Sequence, residues 1–262
     1  SIFASWFSGE IILDKGEWLE VSNQLGQDIF EEQVTLKFKN GTLVESSIID
    51  NTKKYCDKNI NTHEPAKKNK LCNLWELGLI TGLRIRDSHW DNNFQKYSKD
   101  NELYHDIWKM AKLEDLDFSQ INLKEVPDQI SQLTNLKKLK LDCNELSSLP
   151  NEINNLSELE KLDLGLNKFN EFPQIVTKLT KLRKLDISLN EMEKLPNSIG
   201  QLTQLKTLKL SGNKLSEINS NIGKLIKLTE LELSGNQICE IPPEIKNLTQ
   251  LKNLNIHVNK VN

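Results

Sequence analysis

The chain has 262 residues, 37% of them hydrophobic and 27% charged, and carries a formal net charge of -3. That length favours two structural units over one, and the composition is that of an ordinary globular protein with no apolar run approaching a membrane span. Lysine and arginine balance the acids in both halves, so the basic excess that phosphate-backbone recognition needs is missing and nucleic acid is not expected as a partner.

The chain begins with Ser rather than Met, so an initiator or a longer leader is expected before it, and residues 1–7, Ser-Ile-Phe-Ala-Ser-Trp-Phe, lack the basic start of a signal peptide. Residues 10–14 and 17–21 flank Lys15-Gly16 and read as a β-hairpin. Residues 33–38 alternate polar and apolar side chains and run into Asn40-Gly41. That pair accepts the positive φ of a type I′ turn, so residues 42–49 are expected to return antiparallel. Residues 51–70 hold Lys53, Lys54, Lys58, Lys67, Lys68 and Lys70; a solvated loop explains them more simply than a docking patch for an acidic partner. Strand-like sequence resumes over 74–90 with Leu83-Arg84-Ile85-Arg86. Over 99–110 the pattern turns helical, with Leu103, Ile107, Met110 and Ala111 at i, i+4, i+7 and i+8, and Ser98 or Asp100 as the N-cap.

From residue 113 the chain repeats. Residues 136–144, Leu-Lys-Lys-Leu-Lys-Leu-Asp-Cys-Asn, recur at an offset of 23 residues as 159–167, 182–190, 205–213, 228–236 and 251–259. Each copy reads L-x-x-L-x-L-x-x-N, with Ile187 and Ile256 for the third Leu, and most continue x-L-x-x-L-P-x-x-I-x-x-L. An earlier copy is degenerate: Leu113, Leu116, Phe118, Leu123, Val126, Pro127, Ile130 and Leu133 keep the register, but Ile121 takes the Asn slot. Terminal repeats deviate because one side faces a different neighbour, and the helix over 99–112 is expected to pack there. Asn219 replaces the turn proline found at Pro127, Pro150, Pro173, Pro196 and Pro242. The chain stops partway through the seventh copy, with Ile256 and Val261 near its end, so either a native continuation, the favoured expectation, or another chain is expected to meet them.

This pattern resembles the leucine-rich repeat family, specifically the 23-residue class with a Leu-Pro turn found in intracellular signalling scaffolds and small bacterial repeat proteins. The resemblance covers 113–262 and implies a right-handed solenoid, a horseshoe arc with a concave parallel sheet. The expected fold is therefore mixed α/β: a small, mostly antiparallel β domain over 1–98, a capping helix over 99–112, and about seven repeats over 113–262 with the last truncated. Residues 1–112 resemble no family.

Within each copy the L-x-L pair should form a short strand whose leucines point inward while their neighbours point out. Asn144, Asn167, Asn190, Asn213, Asn236 and Asn259 should enter the interior as a ladder, pairing backbone groups that the bend after each strand would otherwise strand. Loss of one rung would cost on the order of 1–3 kcal/mol. The outward residues of the strands, Lys138, Lys140, Lys161, Asp163, Lys184, Asp186, Lys209, Glu230, Glu232 and His257, are the candidate binding residues, with Asp115, Asp117, Asp142, Thr207, Asn253 and Asn255 in the same columns. Leu166, Leu189 and Val258 add apolar points near the strand ends. Exposed Lys–Asp pairs contribute only about 0–1 kcal/mol each and also serve solubility. A rigid concave strip of mixed charge suits a folded protein partner and offers no deep apolar pocket for a small molecule. His257 would make such binding mildly pH-dependent.

Catalytic and metal signatures are sparse. No Gly-rich phosphate loop, Gly-x-Ser-x-Gly elbow or His-Glu-x-x-His helix occurs. Cys56, His63 and Cys72 lack the paired spacing of a structural zinc site. No cofactor is expected. Cys143 and Cys239 lie about four repeats apart, roughly 20 Å, too far to bridge, which favours a reducing compartment; a secreted or host-delivered chain stays open. Cys56 and Cys72 are the remaining pair. Certain bacterial effectors with leucine-rich repeats are cysteine-dependent ubiquitin ligases, and Cys56-Asp57 is faintly similar to their catalytic Cys with its nearby acid. Here it precedes the repeats, in too short a region. His105 reads as a surface residue. The sequence therefore points to a non-enzymatic protein-binding module; the alternative is the substrate-recruiting part of an enzyme or effector whose activity lies in 1–112 or beyond Asn262.

Overall fold

The computed structural model describes residues 108–260 throughout and, before them, the strands β1 (Gly9–Asp14), β2 (Gln33–Lys39), β3 (Thr42–Ser46) and β4 (Gly82–Arg86). The chain forms two compact units, Ser1–Ile121 and Asn122–Asn262. In the first, β1 pairs antiparallel with both β2 and β4, and β2 pairs antiparallel with β3. Lys39 stands opposite Thr42, and the register shifts at Lys37/Phe38; Asn40 and Gly41, where a type I′ turn is expected, lie outside the described residues. β4 then runs parallel to β5 (Asp115–Asp117), with Leu83 opposite Leu116. The partner strand expected over 17–21, the lysine-rich 51–70, His63, His105, Cys56 and Cys72 lie outside the described residues. So do 99–107 of the expected helix. Residues 108–112 form turns instead, where Trp108 packs edge-on against Phe118 with ring centroids 5.9 Å apart.

The second unit is built by repetition. Strands β6 (Lys138–Lys140), β7 (Lys161–Asp163), β8 (Lys184–Asp186), β9 (Thr207–Lys209), β10 (Glu230–Glu232) and β11 (Asn253–Asn255) lie side by side in chain order. Pairing is parallel and in register by repeat: Leu139 faces Leu162, Leu162 faces Leu185, and Leu185 faces Leu208. Those leucines and Leu141, Leu164, Ile187 and Leu210 are buried, because alternate residues of a strand share one face. One interior thus runs through consecutive coils.

The return path is helical but not α-helical. Five-residue segments beginning at Asp128, Asn151, Gln174, Asn197, Ser220 and Pro243 are 3-10 turns, and among the described residues every helical turn is of this kind. The α part of the expected class therefore gives way to 3-10 structure. The cause is in the spacing Ile130, Leu133, Leu136, which is three rather than 3.6. Successive i to i+3 turns eclipse i with i+3, so these three side chains are all buried. Matching i to i+3 bonds run from Ile130 N to Pro127 O at 3.0 Å, Leu133 N to Ile130 O at 3.1 Å and Leu136 N to Leu133 O at 3.0 Å. The prolines start these turns with φ between -78° and -66°, the value their rings impose. Asn219 reaches -75° without a ring: its side chain accepts from Asn221 N at 3.0 Å and donates to Leu195 O at 3.0 Å, substituting bonds for covalent restraint.

The asparagines bind the coils to one another. Asn190 Oδ1 accepts from Phe169 N at 3.0 Å, while Nδ2 donates to Leu164 O of the preceding coil at 3.0 Å and to Ile187 O of its own at 3.2 Å. Asn167, Asn213, Asn236 and Asn259 repeat this geometry. Asn144 Oδ1 accepts from Leu123 N at 2.9 Å, and its Nδ2 donates to Leu141 O at 2.9 Å. The strand-end carbonyls of Leu141, Leu164, Ile187, Leu210 and Leu233 each accept from their own asparagine and from the next, so the rungs form one continuous chain. Asn190→Ala should strand the buried Phe169 N–H and lower stability by on the order of 1–3 kcal/mol, read as a reduced midpoint in urea unfolding.

Candidate functional site

The outward face of the β6–β11 sheet carries the candidate residues in columns, since pairing at one repeat places like positions side by side. Lys138, Lys161, Lys184, Thr207, Glu230 and Asn253 form the first column, and Lys140, Asp163, Asp186, Lys209, Glu232 and Asn255 the second. The slot after these strands holds Asp142, Gly165, Ser188, Ser211, Ser234 and His257. Lys138, Lys161 and Lys184 are exposed, as is His257; Lys140, Asp163, Asp186, Lys209, Glu230 and Glu232 are half-buried. The sequence also assigned Asp117 to this kind of surface, but it is 7% exposed and bonds Ser119 through its N–H and hydroxyl, at 3.1 and 2.6 Å.

The face divides into two regions with different charge arrangements. At β9–β10 the charges satisfy one another: Lys209 Nζ lies 3.3 Å from Glu230 Oε1, and Thr207 Oγ1 donates to Glu230 Oε2 at 3.3 Å. Burial disfavours the Lys209 ammonium, but the Glu230 bond and the carboxylates of Asp186 and Glu232 outweigh it and raise its pKa. At β7–β8 like charges face like: Lys161 opposes Lys184, and Asp163 opposes Asp186. Like charges directly opposite on neighbouring strands are destabilising. Neither Lys161 nor Lys184 forms an ion pair among the described residues. Burial pushes the Asp163 carboxyl up to about 6, opposed by the Gly165 N–H bond and reinforced by Asp186 and Asp142, with Lys184 pulling back.

Away from these strands several opposite charges pair across one repeat. Glu145 pairs with Lys168 at 2.9 Å, Glu158 with Lys181 at 2.6 Å and Glu191 with Lys214 at 2.7 Å, each one repeat apart. Exposed pairs of this kind add little stability, yet they show how this chain arranges charges whose only neighbours are its own.

Sequence reasoning missed two features here. Asp163 and Asp186 each turn a carboxylate oxygen back to the N–H two residues on, Gly165 and Ser188, both at 3.1 Å, and Asn255 does the same for His257 at 3.2 Å. These Asx turns end the strands, so the acids are structural as well as exposed; an Asp or Asn two residues before a small or polar residue at each strand end was the available signal. The second is conformational: Cys143, Leu166, Leu189 and Val258 hold φ between 52° and 56°, in the slot that Gly212 and Gly235 take at 66°. A β-carbon on Gly212 would stand 2.6 Å from Leu189 Cδ2, so a side chain there would displace the tip of Leu189, while glycine takes the left-handed φ without penalty. Among the described residues no three His, Cys, Asp or Glu side chains are grouped to hold a metal, and no helix is long and apolar enough to cross a membrane.

The family model for a leucine-rich repeat region matches residues 65–197, just over half of the chain, and a second leucine-rich repeat model matches 204–225 and 227–248. The chain belongs to the leucine-rich repeat family. The match begins well before residue 113 and takes in β4, whose parallel pairing with β5 follows the same strand-beside-strand pattern. A leucine-rich repeat protein of Leptospira interrogans is similar at 39% identity and a TM-score of 0.60, over 60% of this chain and 40% of that one. The ectodomain of the Arabidopsis thaliana membrane receptor kinase GASSHO1/SCHENGEN3, solved with CASPARIAN STRIP INTEGRITY FACTOR 2, is 33% identical with a TM-score of 0.53, over 59% of this chain and 19% of that one. The plant peptide hormone receptor RGFR1, solved with RGF2, is 30% identical with a TM-score of 0.53, over 60% and 26%. This leucine-rich repeat chain thus spans well under half the length of these proteins, and no curated protein matches it.

The raised Asp163 carboxyl has a pH consequence. The folded state holds this proton more tightly than an unfolded aspartate, whose pKa is about 3.9, so stability falls as pH rises through about 6. Asp163→Asn keeps the acceptor for Gly165 and removes the titration. Its melting temperature should exceed that of the native chain near neutral pH and converge with it in acid near pH 4; an equal difference at both would place the titration elsewhere.

Proposed function

We propose that this chain is a non-enzymatic protein-binding module whose partner docks on the concave outward face of the β6–β11 sheet. The family's general role is protein interaction, and the two plant receptors were solved with CASPARIAN STRIP INTEGRITY FACTOR 2 and RGF2 bound. The observation that carries the reading to this face is its charge pattern. Glu145–Lys168, Glu158–Lys181 and Glu191–Lys214 neutralise one another one repeat apart, whereas Lys161 and Lys184 stand opposed with no ion pair, and Asp163 and Asp186 stand opposed beside them. An arrangement that costs the isolated fold is offset when a partner brings the opposite charges, which also steer encounter and fix register.

The repeats contribute rigidity. With the strand backbone locked by register and by the asparagine chain, little ordering is needed on binding, so more of the contact energy appears as affinity. Residues 1–112 act as a flanking structural element or a second contact.

Charge reversal tests the face. The double variant Lys161→Glu/Lys184→Glu should melt close to the native chain, because the lost Lys184–Asp163 attraction is offset by a glutamate at 161 facing Lys138, yet lose capture of a partner that the native chain retains from cell lysates. Retained capture with an unchanged melting curve would reject the β7–β8 surface and direct attention to residues 1–112.

A further inference from the structure

Two leucines stand where neither stability nor solubility accounts for them. Leu166 and Leu189 occupy the same slot of successive repeats, are 50% and 52% exposed, and hold φ of 52° and 55°. The left-handed region penalises a side chain with a β-carbon, and glycine fills the slot without penalty at Gly212 and Gly235. Each leucine therefore incurs the backbone cost while keeping a branched apolar group half in water. Strain held at an exposed position is a pointer to use rather than to architecture. Cys143 precedes the two leucines in this slot and Gly212 follows, lying against Leu189, so the leucines form a ridge two repeats long between a thiol and a glycine.

The ridge has charged company at its base. Gly165 precedes Leu166 and carries no side chain, and Asp163 Oδ1 and Asp186 Oδ1 converge on the point its β-carbon would take, at 3.4 and 3.6 Å, with the Ser188 carbonyl oxygen also at 3.6 Å. The Ser188 carbonyl is already filled by the Leu166 N–H at 2.9 Å and Asn190 Nδ2 at 3.1 Å, and each Oδ1 takes one turn N–H, so the acceptor capacity left belongs to the carboxylates of Asp163 and Asp186. Among the charges acting on Asp163, the carboxylates of Asp186 and Asp142 oppose its ionisation and Lys184 favours it. The strand-end side of the face is thus apolar and negative, while the strand-start side, at Lys161 and Lys184, is positive.

We propose that Leu166 and Leu189, with Asp163 and Asp186 beside them, seat a segment of the partner protein that presents an apolar side chain next to a lysine or arginine. This rests on the reading of the sheet face as the binding surface and adds the chemistry of what it selects. An arginine or lysine supplies several donors for the converging oxygens, and an adjacent leucine- or isoleucine-like group covers the ridge. The same segment continues toward acidic residues where it meets Lys161 and Lys184, which fixes its direction across the strands. An acidic or wholly polar segment is disfavoured at the ridge by repulsion and by the apolar surface it leaves wet.

The test uses the full chain with methyl-labelled leucine and three short acetylated peptides, containing a central Leu-Arg, Leu-Glu or Ser-Arg pair. The Leu-Arg peptide should shift the Leu166 and Leu189 methyl signals, and the other two should bind about tenfold more weakly. Leu166→Gly/Leu189→Gly should lose Leu-Arg binding without losing thermal stability, because glycine suits that φ. Asp163→Asn/Asp186→Asn should keep the Asx turns and abolish the preference for Leu-Arg over Leu-Glu. Equal shifts from Leu-Arg and Leu-Glu, no shift from any peptide, or unchanged Leu-Arg binding by the glycine variant would overturn the proposal. The outcome is separable from that of the face as a whole: if Lys161→Glu/Lys184→Glu abolishes partner capture while the peptides fail, the ridge alone is rejected.

Discussion

The chain of asparagine amides is the constraint on which the repeat unit depends. A coil that must turn sharply after a three-residue strand leaves backbone groups pointing inward with no strand or helix to take them. Asn167, Asn190 and their equivalents meet that demand with one side chain per repeat, accepting from the N–H two residues past the previous rung and donating to carbonyls on two successive coils. Because the strand-end carbonyls of Leu141, Leu164, Ile187, Leu210 and Leu233 are each shared by two asparagines, adjacent coils are held at one spacing and in one register. The leucine interior supplies most of the driving force, but apolar burial is non-directional; the amides are what make each coil repeat the geometry of the last.

That regularity converts a one-dimensional sequence into a two-dimensional surface. Residues 23 apart become neighbours, so a column of charges is written by choosing one position in each copy. The Glu145–Lys168 and Glu191–Lys214 pairs show self-satisfied columns, and the Lys161–Lys184 and Asp163–Asp186 columns show the opposite choice. The strand ends add a second contrast, since leucine and glycine occupy a single left-handed slot in neighbouring repeats.

Departures from the repeat follow the same physics. Asn219 lacks the ring of the prolines it replaces, yet reaches their φ by hydrogen bonding. Ile121 takes the asparagine slot in the first unit and is buried there. In the last described repeat Leu254 and Val258 are exposed, 42% and 81%, since no following coil covers them among the described residues.

The sequence by itself determined the period, the inward leucines and the inward asparagines, because a strict 23-residue recurrence leaves one way to place every copy and each position then meets the same environment. It also held the three-residue spacing of Ile130, Leu133 and Leu136, whose 3-10 meaning becomes plain once the buried face is seen. Only the tertiary structure decided that Asp163 and Asp186 fold back as strand caps, that their oxygens converge over Gly165, and that Leu189 stands over Gly212. It also placed β4 beside β5, where the sequence offset departs from 23 and no asparagine marks the end. These are relations between residues brought together by stacking, and their outcome depends on distances of a few ångströms and on the sign of φ, neither of which a pattern of letters encodes.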